Sequence, residues 1–211
     1  MKKLLGVLLV ATTLVASTFA LDLSIGGRGL IGGNIGNVAE VAQNKGEGLV
    51  AGGGLYVNVG LFGGLGVQGE VNFLNSQIAV KKNGEGETVG YTTTSCNIVD
   101  VPILAWYNFQ LSKFAIGAGI GVNFSALLPD NTNVFQAASD KDKWNAGLAV
   151  GANVKFYFND HFGLVIGANG VFDFIETSVV VNGGATDYLF NKDDGKRKAI
   201  YGTIGAEFKL F

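Results

Sequence analysis

Several scarcities narrow the field before any pattern is sought. The chain has one cysteine, Cys96, and therefore no internal disulfide. Small exported domains often depend on such cross-links, so stability must come from elsewhere. Two prolines exclude a collagen-like chain or a Pro-rich disordered one. A single histidine, His161, leaves no histidine cluster to hold a transition metal. Charged residues are 15%, against roughly 25% in soluble domains. The formal net charge of −2 is too small to recruit nucleic acid. Beyond residue 20 no apolar run reaches the ~18 residues of a transmembrane helix.

What is abundant is glycine, 33 of 211 residues and about twice the usual share. The first residues have a layout of their own. Lys2 and Lys3 are followed by an apolar run from Leu4 to Ala16 and then by "STFA", ending on the small Ala20. That is the three-part pattern of a secretory signal peptide, too short to span a bilayer. The expected division is a cleaved leader at 1–20 and one domain at 21–211, in an exported protein.

The rest of the chain has the period of a strand. In "LVAGGGLYVNVGL" (49–61) Leu49, Ala51, Leu55, Val57, Val59 and Leu61 share one face, while Gly52, Gly54, Tyr56, Asn58 and Gly60 share the other. The same alternation predicts eight strands near 21–34, 48–61, 65–76, 97–109, 114–126, 144–158, 162–176 and 198–211. Several exceed the 5 to 6 residues of an average soluble strand. Connections near 62–64, 110–113 and 159–161 are short. Those near 35–47, 77–96, 127–143 and 177–197 are long and carry most of the charge, although "SQIAV" and "VGYTTTS" inside 77–96 would extend the third and fourth strands. Even strand number with alternating short and long connections describes an all-β fold, an eight-stranded antiparallel up-and-down barrel.

The two faces differ in kind. One is apolar, as in Ile116, Ala118, Ile120, Val122 and Phe124. The other carries Arg28, Glu70, Asp100, Lys155, Asp173, Glu207 and Lys209 among glycines and asparagines. Turned outward, the glycine-rich face would make a poor soluble surface. Turned inward, its acids and bases form a lumen charge network that must pair to be tolerated, and the apolar face meets membrane lipid. Closure then satisfies every backbone group without water. Aromatics gather at the short turns and the C-terminus: Phe62, Tyr107, Phe109, Phe114, Phe156, Tyr157, Phe158, Phe162, Phe208 and Phe211, as at a membrane interface.

The ending, "TIGAEFKLF", resembles the C-terminal assembly signal of outer-membrane barrel proteins, with Thr203, Gly205, Phe208, Leu210 and Phe211 in the matching places. "VDVPILAWYNF" (99–109) and "FAIGAGIGVNF" (114–124) are similar to the fourth and fifth strands of the small, eight-stranded outer-membrane β-barrel family, which includes opacity- and porin-like domains. The resemblance implies the outer membrane of a diderm bacterium, with membrane lipid and the barrel assembly machinery as partners and the last strand closing against the first. Pro102, which cannot donate to the ladder, points to a bulge.

No catalytic or cofactor constellation is readable. "GAGIG" (117–121) lacks the helix that a phosphate-binding glycine loop requires. His161 reads as a solvated turn residue at the end opposite the long loops, Cys96 has no visible base beside it, and "KDD" (192–194) reads as a solvated charge run. Function then rests on lumen and loops. The leading expectation is a structural or surface-interaction role in which long extracellular loops meet host or surface ligands. The alternatives are a narrow channel, if the inward glycines leave a path for small or apolar solutes, and a soluble lipocalin-like carrier, if the apolar face is the interior.

Overall fold

A computed structural model describes residues 22–35, 48–82, 90–128, 136–137, 143–176, 178–181, 185–188 and 196–210. The leader at 1–20, Phe211 and the 192–194 run lie outside these residues. In chain order the strands are β1 (Asp22–Asn34), β2 (Leu49–Phe62), β3 (Leu65–Lys82), β4 (Gly90–Leu111), β5 (Phe114–Leu128), β6 (Gln136–Ala137), β7 (Trp144–Tyr157), β8 (Phe162–Asp173), β9 (Ser178–Val181), β10 (Ala185–Tyr188) and β11 (Lys198–Lys209).

Eight of them close a barrel in the order β1-β11-β8-β7-β5-β4-β3-β2, every neighbour antiparallel. The closing seam pairs Ser24 with Lys209 and continues to Asn34 opposite Ala199. No edge of this sheet is left unpaired, which is what a sheet without surrounding water requires. The β2–β3 turn is two glycines, Gly63 and Gly64, at φ +57° and +86°. Both central residues of this tight hairpin need positive φ, which glycine adopts without steric cost. At the turn before β8, Asn159 Oδ1 accepts from the backbone amides of His161 and Phe162, at 2.9 and 2.8 Å.

Burial alternates along each strand, as the pleat dictates. On β5 the outward Ile116, Ile120, Val122 and Phe124 are exposed, while Ala115, Asn123 and Ser125 are buried inside. The apolar face is therefore the exterior and the charged face the interior, which removes the lipocalin-like reading. Phe114 and Phe124 stand near opposite ends of this outward face. At ~3.3 Å per residue and a tilt of ~40° they are separated by about 25 Å along the axis, the height of an apolar membrane band.

Three expectations are corrected. The first concerns Pro102. The pairs Gly69–Ile103 and Asn72–Asp100 keep one register across it, so the ladder lapses there without a bulge, and the register shift lies instead between Gly60 and Phe62. Second, aromatics mark both rims. Phe114, Phe156, Phe158 and Phe162 form a chain of ring contacts with centroids 4.9, 5.2 and 5.8 Å apart at the short-turn end, but Trp144 (67% exposed) and Phe174 (62%) face outward at the long-loop end. Tyr157 leaves the rim altogether and points into the lumen. Third, two of the long connections hold strands of their own: β6, β9 and β10 form a separate sheet that joins the connections flanking β7 and β8. The expected extension of the third and fourth strands is present, since β3 and β4 stay paired as far as Lys82–Gly90. Asn182-Gly183 between two β-prone runs is the sequence signal for the β9–β10 hairpin.

Candidate functional site: an ion-paired lumen

The inward residues form three charge clusters along the axis. Nearest the short turns, Lys155 Nζ lies 2.7 Å from Glu207 Oε2. The same carboxylate accepts from the Tyr157 hydroxyl at 2.6 Å and the Tyr56 hydroxyl at 3.1 Å. Next, Arg28 pairs with Glu70, and that carboxylate also accepts from Gln68 at 2.7 Å and Asn72 at 3.0 Å. With its amide oxygen turned toward the guanidinium, Asn169 accepts from Arg28 at 2.8 Å. Nearest the long loops, Arg197 lies between two acids, with Nη2 2.7 Å from Asp100 Oδ1 and Nε 3.3 Å from Asp173 Oδ2. All seven of these charged residues are buried. Pairing is what makes that tolerable, since an isolated buried charge is far costlier than a paired, hydrogen-bonded one.

Of the seven residues expected in the network, Arg28, Glu70, Lys155 and Glu207 meet as two pairs, and Asp100 and Asp173 meet through Arg197. Among the described residues no acid pairs with Lys209. It is half-buried at the short-turn mouth, its ammonium 4.1 Å from the centre of the Tyr157 ring and 3.5 Å from Gln110 Oε1. Arg197 was missed because it precedes the last strand inside a charge run. Its signal was parity, since Ala199, Tyr201 and Thr203 face inward and 197 continues the same alternation. The residues resembling an assembly signal divide by face: Thr203 is buried inside, Gly205 sits in the seam opposite Arg28, and Phe208 and Leu210 face outward.

Several of the inward glycines face large neighbours and not open space. Trp106 lies flat across three of them. A Cβ on Gly119, Gly117 or Gly151 would come within 2.1, 2.5 or 3.0 Å of its ring. Tyr157 covers Gly163 in the same way, at 2.8 Å. Trp106 Nε1 donates to Asn108 Oδ1 at 3.0 Å, so the buried ring has its polar atom satisfied. Glycine is needed at these positions because a large neighbour occupies the space. Toward the long loops, an apolar cluster of Leu30, Val50, Leu74, Cys96, Ile98, Leu127, Val171, Ala199 and Tyr201 fills the interior. Cys96 is thus an inward residue of β4 and not a loop thiol.

Among the described residues an open space lies at the opposite end. A cavity of about 630 Å³ opens between the short turns, and Lys155, Tyr157 and Glu207 are among its lining residues. Beside it, His161 is exposed yet engaged. Its Nδ1 is 3.1 Å from the Lys209 carbonyl, and its ring stacks on Phe208 with centroids 5.8 Å apart.

The family model described as outer membrane protein beta-barrel domain matches residues 6–208. Among solved structures, the outer membrane protein OprG from Pseudomonas aeruginosa is similar at 15% identity. The alignment covers 90% of this chain and 95% of that one, with a TM-score of 0.55. Neisserial surface protein A (NspA) aligns over 89% and 97% of the two chains, at 12% identity and a TM-score of 0.49. At 15% identity the likeness to OprG is one of fold alone. No curated protein matches the chain in sequence.

Proposed function

The chain belongs to the outer-membrane protein β-barrel family, and from that premise we propose that it is a sealed barrel whose work is done by its long extracellular connections. The observation that carries this reading is the filled lumen. Three ion-paired clusters, the Trp106 ring over its glycines and the apolar cluster near the loop end occupy successive levels of the interior above the short-turn cavity. An eight-stranded barrel encloses a space just wide enough for side chains to fill. The strands β3 and β4, paired to Lys82–Gly90, and the β6–β9–β10 sheet would then present a surface to host or surface ligands. The short turns would face the periplasm. Export by the leader at 1–20 and recognition of Thr203, Gly205, Phe208, Leu210 and Phe211 by the assembly machinery belong to the same proposal.

The periplasmic cavity is the one feature that favours a narrow channel instead, since it supplies part of a path. Glu207 with its lysine and two tyrosines stands across that path. Swelling of proteoliposomes in small sugars and amino acids separates the readings. A rate equal to that of protein-free vesicles supports the sealed barrel, and swelling that scales with protein content sinks it.

A further inference from the structure

We propose that the Asp100–Asp173–Arg197 cluster binds one monovalent hard cation of the sodium kind inside the extracellular half of the lumen. One guanidinium faces two carboxylates there. Both acids are buried, Asp100 to 0% exposure and Asp173 to 6%. Among the described residues the cluster sets one base against two acids. A buried charge in that state needs a counter-charge.

The oxygens that would receive it are present. Asp100 Oδ2 and Asp173 Oδ1, the atoms turned away from Arg197, have no hydrogen-bond partner in the protein. Two neutral oxygens share that condition. Asn123 is fully buried and donates its amide to Asp100 Oδ1 at 3.3 Å, while its own Oδ1 is unpartnered. Tyr201 is buried to 1% exposure with its hydroxyl unpartnered. Buried polar atoms are almost always satisfied, so the unpartnered oxygens of Asp100, Asp173 and Asn123, tied together through Arg197 and the Asn123 amide, call for a ligand. The other two clusters each match one base to one acid whose oxygens take further donors, and the unpartnered atoms beside Glu70 are Arg28 Nε and the Asn72 amide oxygen, not carboxylate oxygens.

The donor set fixes the class of cation. Oxygen-only ligands suit hard ions and not zinc or copper. No group of three or more His, Cys, Asp or Glu that could hold a metal ion assembles among the described residues, and the nearby guanidinium repels a second positive charge. A single charge restores neutrality and a double charge overshoots it.

The test uses the full mature chain refolded in detergent micelles, and it reads heat resistance rather than permeation, so its outcome does not depend on whether the barrel is sealed. The fraction of compact, fast-migrating protein is followed against temperature in sodium chloride and in N-methyl-D-glucamine chloride at equal ionic strength. A bound cation stabilises by mass action, so sodium is expected to raise the midpoint saturably, by roughly 5 °C. Asp173→Asn removes the excess charge. It is expected to match the sodium-loaded protein in both salts and to lose the sodium dependence. Equal midpoints in the two salts for the unaltered protein would overturn the proposal and leave a proton as the counter-charge. Sodium dependence that survives Asp173→Asn would also overturn it, because the ion would then bind elsewhere.

Discussion

Both ends of the lumen bury carboxylates against a base, yet they complete the task differently. At the periplasmic end Glu207 meets one lysine and two tyrosine hydroxyls, so both of its oxygens are occupied. At the extracellular end Arg197 is divided between Asp100 and Asp173, and an oxygen of each is left over. The first arrangement has the marks of a plug, the second those of a site. Charge count already separates them, one base to one acid against one base to two, and the two tyrosine hydroxyls complete the difference by finishing the Glu207 carboxylate.

The comparison can be broken most severely at its closed end. Glu207→Ala leaves Lys155 buried without its partner and strips two tyrosines of their acceptor. The expected loss is about 3–5 kcal/mol, seen as a lower urea midpoint for the compact band on unboiled gels. A loss below about 1 kcal/mol would mean that the plug is wet and cheaply rearranged. Next in size is a test of the outward face. Ile120→Lys places a charge mid-height against lipid and is expected to cost about 2–4 kcal/mol in bilayers, whereas Leu128→Lys near the extracellular rim costs about 1 kcal/mol or less. Equal costs at the two heights would contradict the membrane position inferred from the aromatic rims.

Gly119→Ala brings a Cβ to 2.1 Å from the Trp106 ring. Overpacking of this kind is expected to cost about 1–3 kcal/mol, and pairing it with Trp106→Leu should recover most of that loss in a double-mutant cycle. Full additivity would mean that the ring does not rest on the glycine. The smallest effect is expected at the periplasmic mouth. Lys209→Ala removes a cation–π contact in a half-buried setting and should shift stability by about 1 kcal/mol or less. A loss as large as that of Glu207→Ala would make Lys209 a member of the plug after all.

The barrel itself was legible because its cause is local. Period-two alternation placed Ile116, Ile120 and Phe124 on one face and Asn123 and Ser125 on the other without knowledge of any neighbour. The pairs inside were half legible. Alternation puts Arg28 and Glu70 on the inward face, but which acid meets which base depends on strand tilt and register across distant strands. Arg197 was lost to a boundary, since a residue just before a strand inside "NKDDGKRK" looks solvated. The glycines misled for a related reason. Glycine in a strand marks either open space or a close approach, and only the position of Trp106 decides between them. His161 shows the same limit, because its contact with the Lys209 carbonyl joins residues that nothing in the sequence brings together.

The sealed lumen is tested most directly by single-channel recording of the purified, refolded barrel in planar bilayers. The account predicts no stable unitary currents at moderate voltage with the side chains intact. Reproducible current steps of fixed size from the unaltered protein would contradict it, and would mean that the Glu207 cluster opens.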